Sequence, residues 1–494
     1  MMDTTATRGP GLQSSIMSDT RVQSDTHAET GTRQALGRLS AAAGAPIACA
    51  VRVPVMLDVM GGIAELTGSL ALATPTCETV RVAVAPRNDQ NLRIARVADG
   101  DRARHNGHDH EHTWPLASFY DGAALAAPEL LHTRMSERDC PVERAVLTGA
   151  YALLAAHLAP HLSGGFTILV ETEREAPALC AAHHLASVQA ATCAALGEAL
   201  TGACDRRAVA KACHTARSAL TPELPTGLMT QAGPLLGNPG ELLQVCCGSF
   251  DVAAPLPLPA GVTLLGIDCG ALHPQADDKY GAAYTAALMG REIIARLLPK
   301  VCPQARWDGK LARVSVTDFV DELRDRIPTK LKGIQFLERF DTPAGSPAPV
   351  EPGVIYKVRS RAEHHIYEED RVRQFAERMS RARRMDDDQP VREAGEYMYA
   401  SHWSYGQRCG LGSIETDLLV TLLRNEGPQQ GIFGARVSGT GCGGTVVVLL
   451  RDEPAASATV ERVLSVYRQR VERTPALRPI ADKGAAGFTV EKPA

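Results

Sequence analysis

The stretch "VPVMLDVMGGIAELTGS", Val53–Ser69, is an apolar run that stops at two adjacent glycines, Gly61 and Gly62. Its branched and apolar residues read as the end of a strand that begins near Pro46, and the glycines mark a tight exit from it. Downstream, "SLALATPTCETVRVAVAPR" and "LRIARVAD" read as strands by β-branched content and alternation. "VERAVLTGAYALLAAHL" carries a helical apolar stripe, "GGFTILVETE" returns as a strand, and the alanine-rich "PALCAAHHLASVQAATCAALGEAL" is a helix opened by Pro177. "LLQVCC" and "VTLLGIDCG" are further strands on either side of the proline-rich "AAPLPLPAG". "YGAAYTAALMGREIIARLL" and "EEDRVRQFAERMSRARRM" are helices, with the stiff loop "DTPAGSPAPVEPG" between them. Strands and helices alternate in both halves, so the sequence predicts an α/β or α+β protein of two lobes. The expected division is a disordered tail over 1–44, an N-terminal α/β lobe over 45–257 and a C-terminal lobe over 258–494.

The 494 residues suffice for two or three domains with a large core. A formal net charge of −4 supplies no attraction for nucleic acid or an anionic membrane. No apolar run approaches the ~20 residues that span a bilayer. Thirteen scattered cysteines fit a reduced cytoplasmic protein better than a disulfide framework, and none forms a Cys-x-x-Cys pair. The sequence therefore predicts no metal centre.

Three separated stretches resemble the sugar-kinase branch of the GHMP kinase superfamily, in particular its arabinokinase- and galactokinase-like members. They are Val53–Ser69; "LLGIDCGALHPQADDKYGAAYTAALMG"; and a third set comprising "YKVRSRAEHHIYEEDRVRQF", "SHWSYGQRCGLGSIETDLLV" and "GARVSGTGCGGTVVVLL". The resemblance runs from about Pro46 to Leu450. It implies an α+β fold with an N-terminal α/β lobe, a ferredoxin-like C-terminal lobe and a ligand cleft between them. It assigns substrate contacts to Asp58, Gly61, Gly62, Glu65, His273, Tyr280, Ser401 and His402. It also assigns a cleft-lining turn to Gly439, Gly441, Gly443 and Gly444, where missing side chains let backbone N–H groups approach an anion.

The same resemblance exposes losses. Phosphoryl transfer from ATP needs a triphosphate cradle, a metal site and positive charge near the moving group. The family's catalytic arginine falls on Met56, and its catalytic aspartate on Thr230. The phosphate loop falls on "ETEREAPALCAAHH", which has no glycine or serine and puts Glu171, Glu173 and Glu175 where triphosphate oxygens would lie. Threonine is no base near neutral pH. Glu65 is one methylene longer than the family's usual aspartate, and Leu66 replaces the tyrosine after it.

Three readings follow. The first is a GHMP-fold protein impaired in phosphoryl transfer that binds a sugar-like or other small polar ligand, or acts through a protein partner. The second is an active sugar or small-alcohol kinase using ATP and Mg, with Lys279 or Arg408 in place of the arginine. The third is a different enzyme built on Cys180, His183 and His184, which one helical turn brings together. His105, His108, His110 and His112 read as a solvated loop rather than a metal site. Cys246 and Cys247 read as packing residues on opposite faces of a strand. Trp307 and Trp403 are candidates to stack on a ligand ring.

Overall fold

The computed structural model describes residues 25–493 except 99–110, 138–139, 160, 163, 173–181, 272–275, 306, 385–386, 440, 442–443, 484 and 486. Order begins earlier than predicted. Helix α1 (Asp25–Ala43) lies where the sequence suggests a disordered tail, and its Leu36, Leu39 and Ala43 are buried with Ala50, Ala83 and Leu169. The first sheet is built around β1 (Cys49–Met60) and the seventeen-residue β2 (Leu70–Pro86), with β3 (Asn91–Ala98) and β4 (His112–Pro115) on one side. Helix α2 (Pro141–Ala155), β5 (Phe166–Thr172), and helices α3 (Ala182–Thr201), α4 (Arg206–Leu220) and α5 (Leu228–Leu236) follow, then β6 (Glu241–Cys246), β7 (Asp251–Val252) and β8 (Leu256–Pro257). β2 pairs with β5 through Val80–Pro86 and with β6 through Leu70–Ala73. β3 runs parallel to β5.

The β1–β2 ladder slips between Pro54 and Met56 and again between Asp58 and Met60. Proline has no N–H to give a ladder, so an irregularity there is expected. Its consequence is a change of face. Val51, Val53 and Val55 point to the core beneath α2, α3 and α5. Beyond the slip Met56 still packs there, while Leu57 and Val59 enter a core shared with the second lobe. Asp58 is thereby brought to the wall between the lobes.

The second sheet is antiparallel, in the order β10-β11-β9-β12, from β9 (Val262–Asp268), β10 (Ile432–Val437), β11 (Thr445–Arg451) and β12 (Ala476–Pro479). Around it lie α6 (Ala276–Val301), α7 (Val358–Ala382), α8 (Gln389–Ser404), α9 (Ile414–Glu426) and α10 (Pro454–Val471). Leu57 and Leu72 of the first sheet share one core with Phe375, Met398, Phe433 and Leu449 of the second lobe. The chain then returns: β13 (Thr489–Glu491) pairs with β1. The predicted second lobe over 258–494 is corrected at its end, which belongs to the first sheet. The loop predicted around His112 is corrected too, since His112 opens strand β4.

Candidate interlobe binding site

Gly61 and Gly62 have φ of +115° and +48°, which glycine adopts without strain. A Cβ on Gly62 would lie 1.6 Å from the Tyr405 hydroxyl. That hydroxyl accepts from Ile63 N–H at 2.6 Å and donates to the Gly439 carbonyl at 3.2 Å. One buried tyrosine thus ties the first motif's turn to the third's. Asp58 does the same from the other side. Its Oδ2 accepts from Gly439 N–H at 2.8 Å, and its carbonyl accepts from Ser438 Oγ at 2.8 Å. Arg436 supplies the countercharge. It is fully buried, donates to the Val59 carbonyl at 2.9 Å, lies 3.5 Å from Asp58 Oδ2 and sits over the Tyr405 ring.

Two adjoining chambers open beside these turns. The inner one is lined by Asp58, Glu65, His183, Thr226, Thr230 and Tyr280, among others. The outer one, about 460 Å³, is lined by residues that include Glu65, Thr67, His214, Thr226, Arg291 and Lys310. Glu65 stands between them. Its Oε2 accepts from Met229 N–H at 3.0 Å, in the first turn of α5, and its Oε1 from Thr230 Oγ at 3.3 Å. Cys247 Sγ lies 3.8 Å from Oε2. Gly227 makes this approach possible, because a Cβ there would fall 1.8 Å from the Glu65 carboxyl carbon. Burial, and then the Asp58 charge, push the Glu65 carboxyl up to about 8, against the hydrogen bonds that favour its anion. Burial lowers the pKa of His183, so its ring is neutral at pH 7. Four buried polar atoms on chamber-lining residues have no hydrogen-bond partner among the described residues: Asp58 Oδ1, His183 Nδ1, Thr226 Oγ1 and His214 Nδ1. Such atoms are costly in a folded protein unless something else satisfies them.

The residues singled out in the sequence scatter. Asp58, Gly62, Glu65, Tyr280, Thr230, His183 and Gly439 meet at the inner chamber. Met56 does not reach it; its side chain packs against Gly233 and Gly237 at the far end of α5. Gly61 backs onto Ala71, Gly441 onto Tyr405 and Gly444 onto Cys269, so these glycines serve close packing. Ser401 donates to buried Glu368 at 2.6 Å, and His402 braces Val437 N–H and Asp417. Neither is among the residues that line these two chambers. Glu171 is corrected. It lies on β5, held by Arg81 and by Arg38 of α1, on the α1 side of the sheet and away from α2 and α3. Lys279 is exposed, and Arg408 is held by Glu363 and stacked on Tyr367 and Trp403. Trp403 is 56% exposed and Trp307 packs in a helical cluster, so neither faces the chambers. His184 is buried in α3. Cys246 ends β6, whereas Cys247 turns into the outer chamber, a role that strand packing did not predict. Cys180, His273, Gly443, Glu173, Glu175, His105, His108 and His110 lie outside the described residues.

Sequence reasoning missed Thr226, His214, Tyr405 and Arg436. Arg436 and Tyr405 sit inside the quoted third motif and were within reach. Thr226 and His214 carry no local signal, since helix packing alone brings them to the cavity.

The family model described as GHMP kinases C terminal matches residues 388–469. L-arabinokinase of Arabidopsis thaliana is 24% identical over 483 residues, covering 88% of this chain and 46% of that protein. A galactokinase of Chloroflexus aggregans is 26% identical over 263 residues, covering 53% of this chain and 55% of that one. The chain spans about half the length of the curated relatives it matches. Among solved structures, Lactococcus lactis galactokinase complexed with galactose superposes with a TM-score of 0.66 at 14% identity, over 92% of this chain and 98% of that one. Methanococcus jannaschii mevalonate kinase gives 0.53 at 10% identity, over 88% and 99%. The α+β architecture is the GHMP kinase fold, and the sequence resemblance to the superfamily's sugar-kinase branch stands. Among the described residues no helix is long and apolar enough to cross a membrane.

Proposed function

We propose that this chain, with its GHMP kinase fold and sugar-kinase likeness, binds a polyhydroxylated, sugar-like molecule across the two chambers and transfers phosphate from ATP poorly or not at all. One observation carries this reading: the described lining of the inner chamber has two carboxyl groups and a neutral imidazole, but no lysine or arginine. Phosphoryl transfer draws most of its acceleration from positive charge around the moving group. The place of the family's arginine is held by Met56, which is turned into the core. The place of its aspartate is held by Thr230, and the turn's Gly439 N–H is already taken by Asp58. Carboxyl, imidazole and hydroxyl groups, with unpartnered atoms beside them, are the donors and acceptors that sugar hydroxyls need. A small molecule in a reducing cytoplasm is the setting this reading takes, with a protein partner as a further possibility and nucleic acid or membrane outside it.

Incubating the full chain with Mg-ATP and a panel of pentoses, hexoses and polyols tests the catalytic half. The expected result is no phosphorylated sugar by mass spectrometry above the rate without protein. A product that grows with protein concentration overturns it.

One observation favours the active-kinase reading. Glu65 puts a carboxyl group beside Thr230 at the head of α5, where the resemblance calls for the lost aspartate. On that reading ATP and Mg are cosubstrates, and Glu65→Gln abolishes a turnover measurable in the parent.

A further inference from the structure

We propose that His112, Cys140 and Glu143 form a binding site for one zinc-like divalent ion, outside the interlobe chambers and unconnected with the kinase likeness. The three offer one ligand atom each, and these atoms all lie within 4.8 Å of one another. His112 opens the edge strand β4, Cys140 is the residue immediately before helix α2, and Glu143 lies in that helix's first turn. The sequence separates His112 from the other two by more than a score of residues, so the grouping is made by the fold.

The chemistry of the set is that of a borderline metal. Thiolate, imidazole and carboxylate together suit zinc, and cobalt as its spectroscopic stand-in, and do not suit calcium or magnesium, which take oxygen donors. In a tetrahedral zinc site, bonds of about 2.0–2.3 Å place neighbouring ligand atoms roughly 3.3–3.8 Å apart. His112 Nδ1 and Glu143 Oε2 are already 3.4 Å apart. The remaining separations are within reach of small side-chain rotations.

The surroundings fit the same reading. The Glu143 side chain is 1% exposed, in the first turn of α2. Cys140 occupies the N-cap position without making a side-chain cap, so its sulfur is not committed to the helix's own N–H groups. The positive end of the helix favours an anionic ligand there. Three protein ligands leave a fourth position for water or another donor. Bound metal would fasten the edge strand β4 to the head of α2.

Cobalt(II) is the probe. Titrating it into the reduced, metal-stripped full chain is expected to give a near-ultraviolet thiolate-to-cobalt charge-transfer band with visible bands of tetrahedral intensity, saturating at one ion per chain. Zinc should displace cobalt and erase them. Cys140→Ser, which keeps a good N-cap residue, should remove the charge-transfer band while leaving the circular-dichroism spectrum unchanged. His112→Ala should weaken affinity at least tenfold. Absence of the band in the folded parent overturns the proposal, as does a band that persists in full in Cys140→Ser, which would place the metal on other thiols.

Discussion

Replacing Glu65 by glutamine changes how stability responds to pH. Folding holds the Glu65 proton up to about 8, whereas an unfolded glutamic acid releases it near 4.3. Between those values the native state binds more protons than the unfolded state, so stability falls as pH rises from about 4.5 to about 8. The side chain keeps some exposure to the cavity it lines, which holds the effect to at most a few kcal/mol. Urea unfolding at pH 6.5 and pH 8, above most of the titration of the buried histidines, is expected to show this decline in the parent and lose most of it in Glu65→Gln. The position of Glu65 was legible in the sequence, as an acid one methylene longer than expected. Its reach to Thr230 was not, because that depends on Gly227, the residue before α5 and far along the chain, lacking a side chain.

Strand β1 shows how much local structure the sequence carries and where it stops. The run from Pro46 to the two glycines reads as a strand, and it is one. The slip at Pro54–Met56, which sends Met56 toward α5 and Leu57 toward the other lobe, is a property of pairing with β2 and has no mark in β1 alone beyond the proline. Helix α1 was missed because its apolar contribution is one turn, Leu36 and Leu39, set in polar sequence; contact with Ala50, Ala83 and Leu169 decides it. Strand β13 was missed because three residues carry no period. It nevertheless covers the edge of β1, and its Glu491 pairs with Arg81 at 2.8 Å while Phe488 packs on the first core. Removing residues 488–494 therefore exposes a strand edge and leaves Arg81 with Glu171 alone. Thermal unfolding of the truncated chain is expected several degrees lower, on the order of 1–3 kcal/mol; an unchanged midpoint would show that the returning strand adds nothing.

The two lobes meet through buried polar joints as well as a shared apolar core. Thr67 Oγ and His365 Nδ1 lie 2.9 Å apart, and Glu369 accepts from Leu70 N–H at 2.6 Å and from Ser69 Oγ at 2.9 Å. Burial pushes the His365 imidazole down to about 3. A histidine kept neutral by folding lets the unfolded state bind more protons below its ordinary value near 6.5, so stability falls as pH drops from about 6.5 toward 3. Burial lowers the His364 imidazole as well, so it adds to this acid limb, while Glu65 acts in the opposite sense at higher pH; His365→Gln should soften the acid limb in a thermal-melt series across pH. The fold and the order of the motifs were visible in sequence because long apolar runs and glycine turns are local. The chambers were half visible, since they depend on which side chains the slip in β1 and the head of α5 turn inward. Thr226 offers the cleanest probe of what they hold: its buried hydroxyl has no partner among the described residues, so Thr226→Val should melt no lower than the parent. Calorimetric titration of the sugar and polyol panel into parent and Thr226→Val is expected to give saturable heat for one polyhydroxylated compound in the parent and roughly 5- to 150-fold weaker binding in the variant, the loss of one buried hydrogen bond. No binding by any of them, or equal affinity in the two proteins, would contradict it.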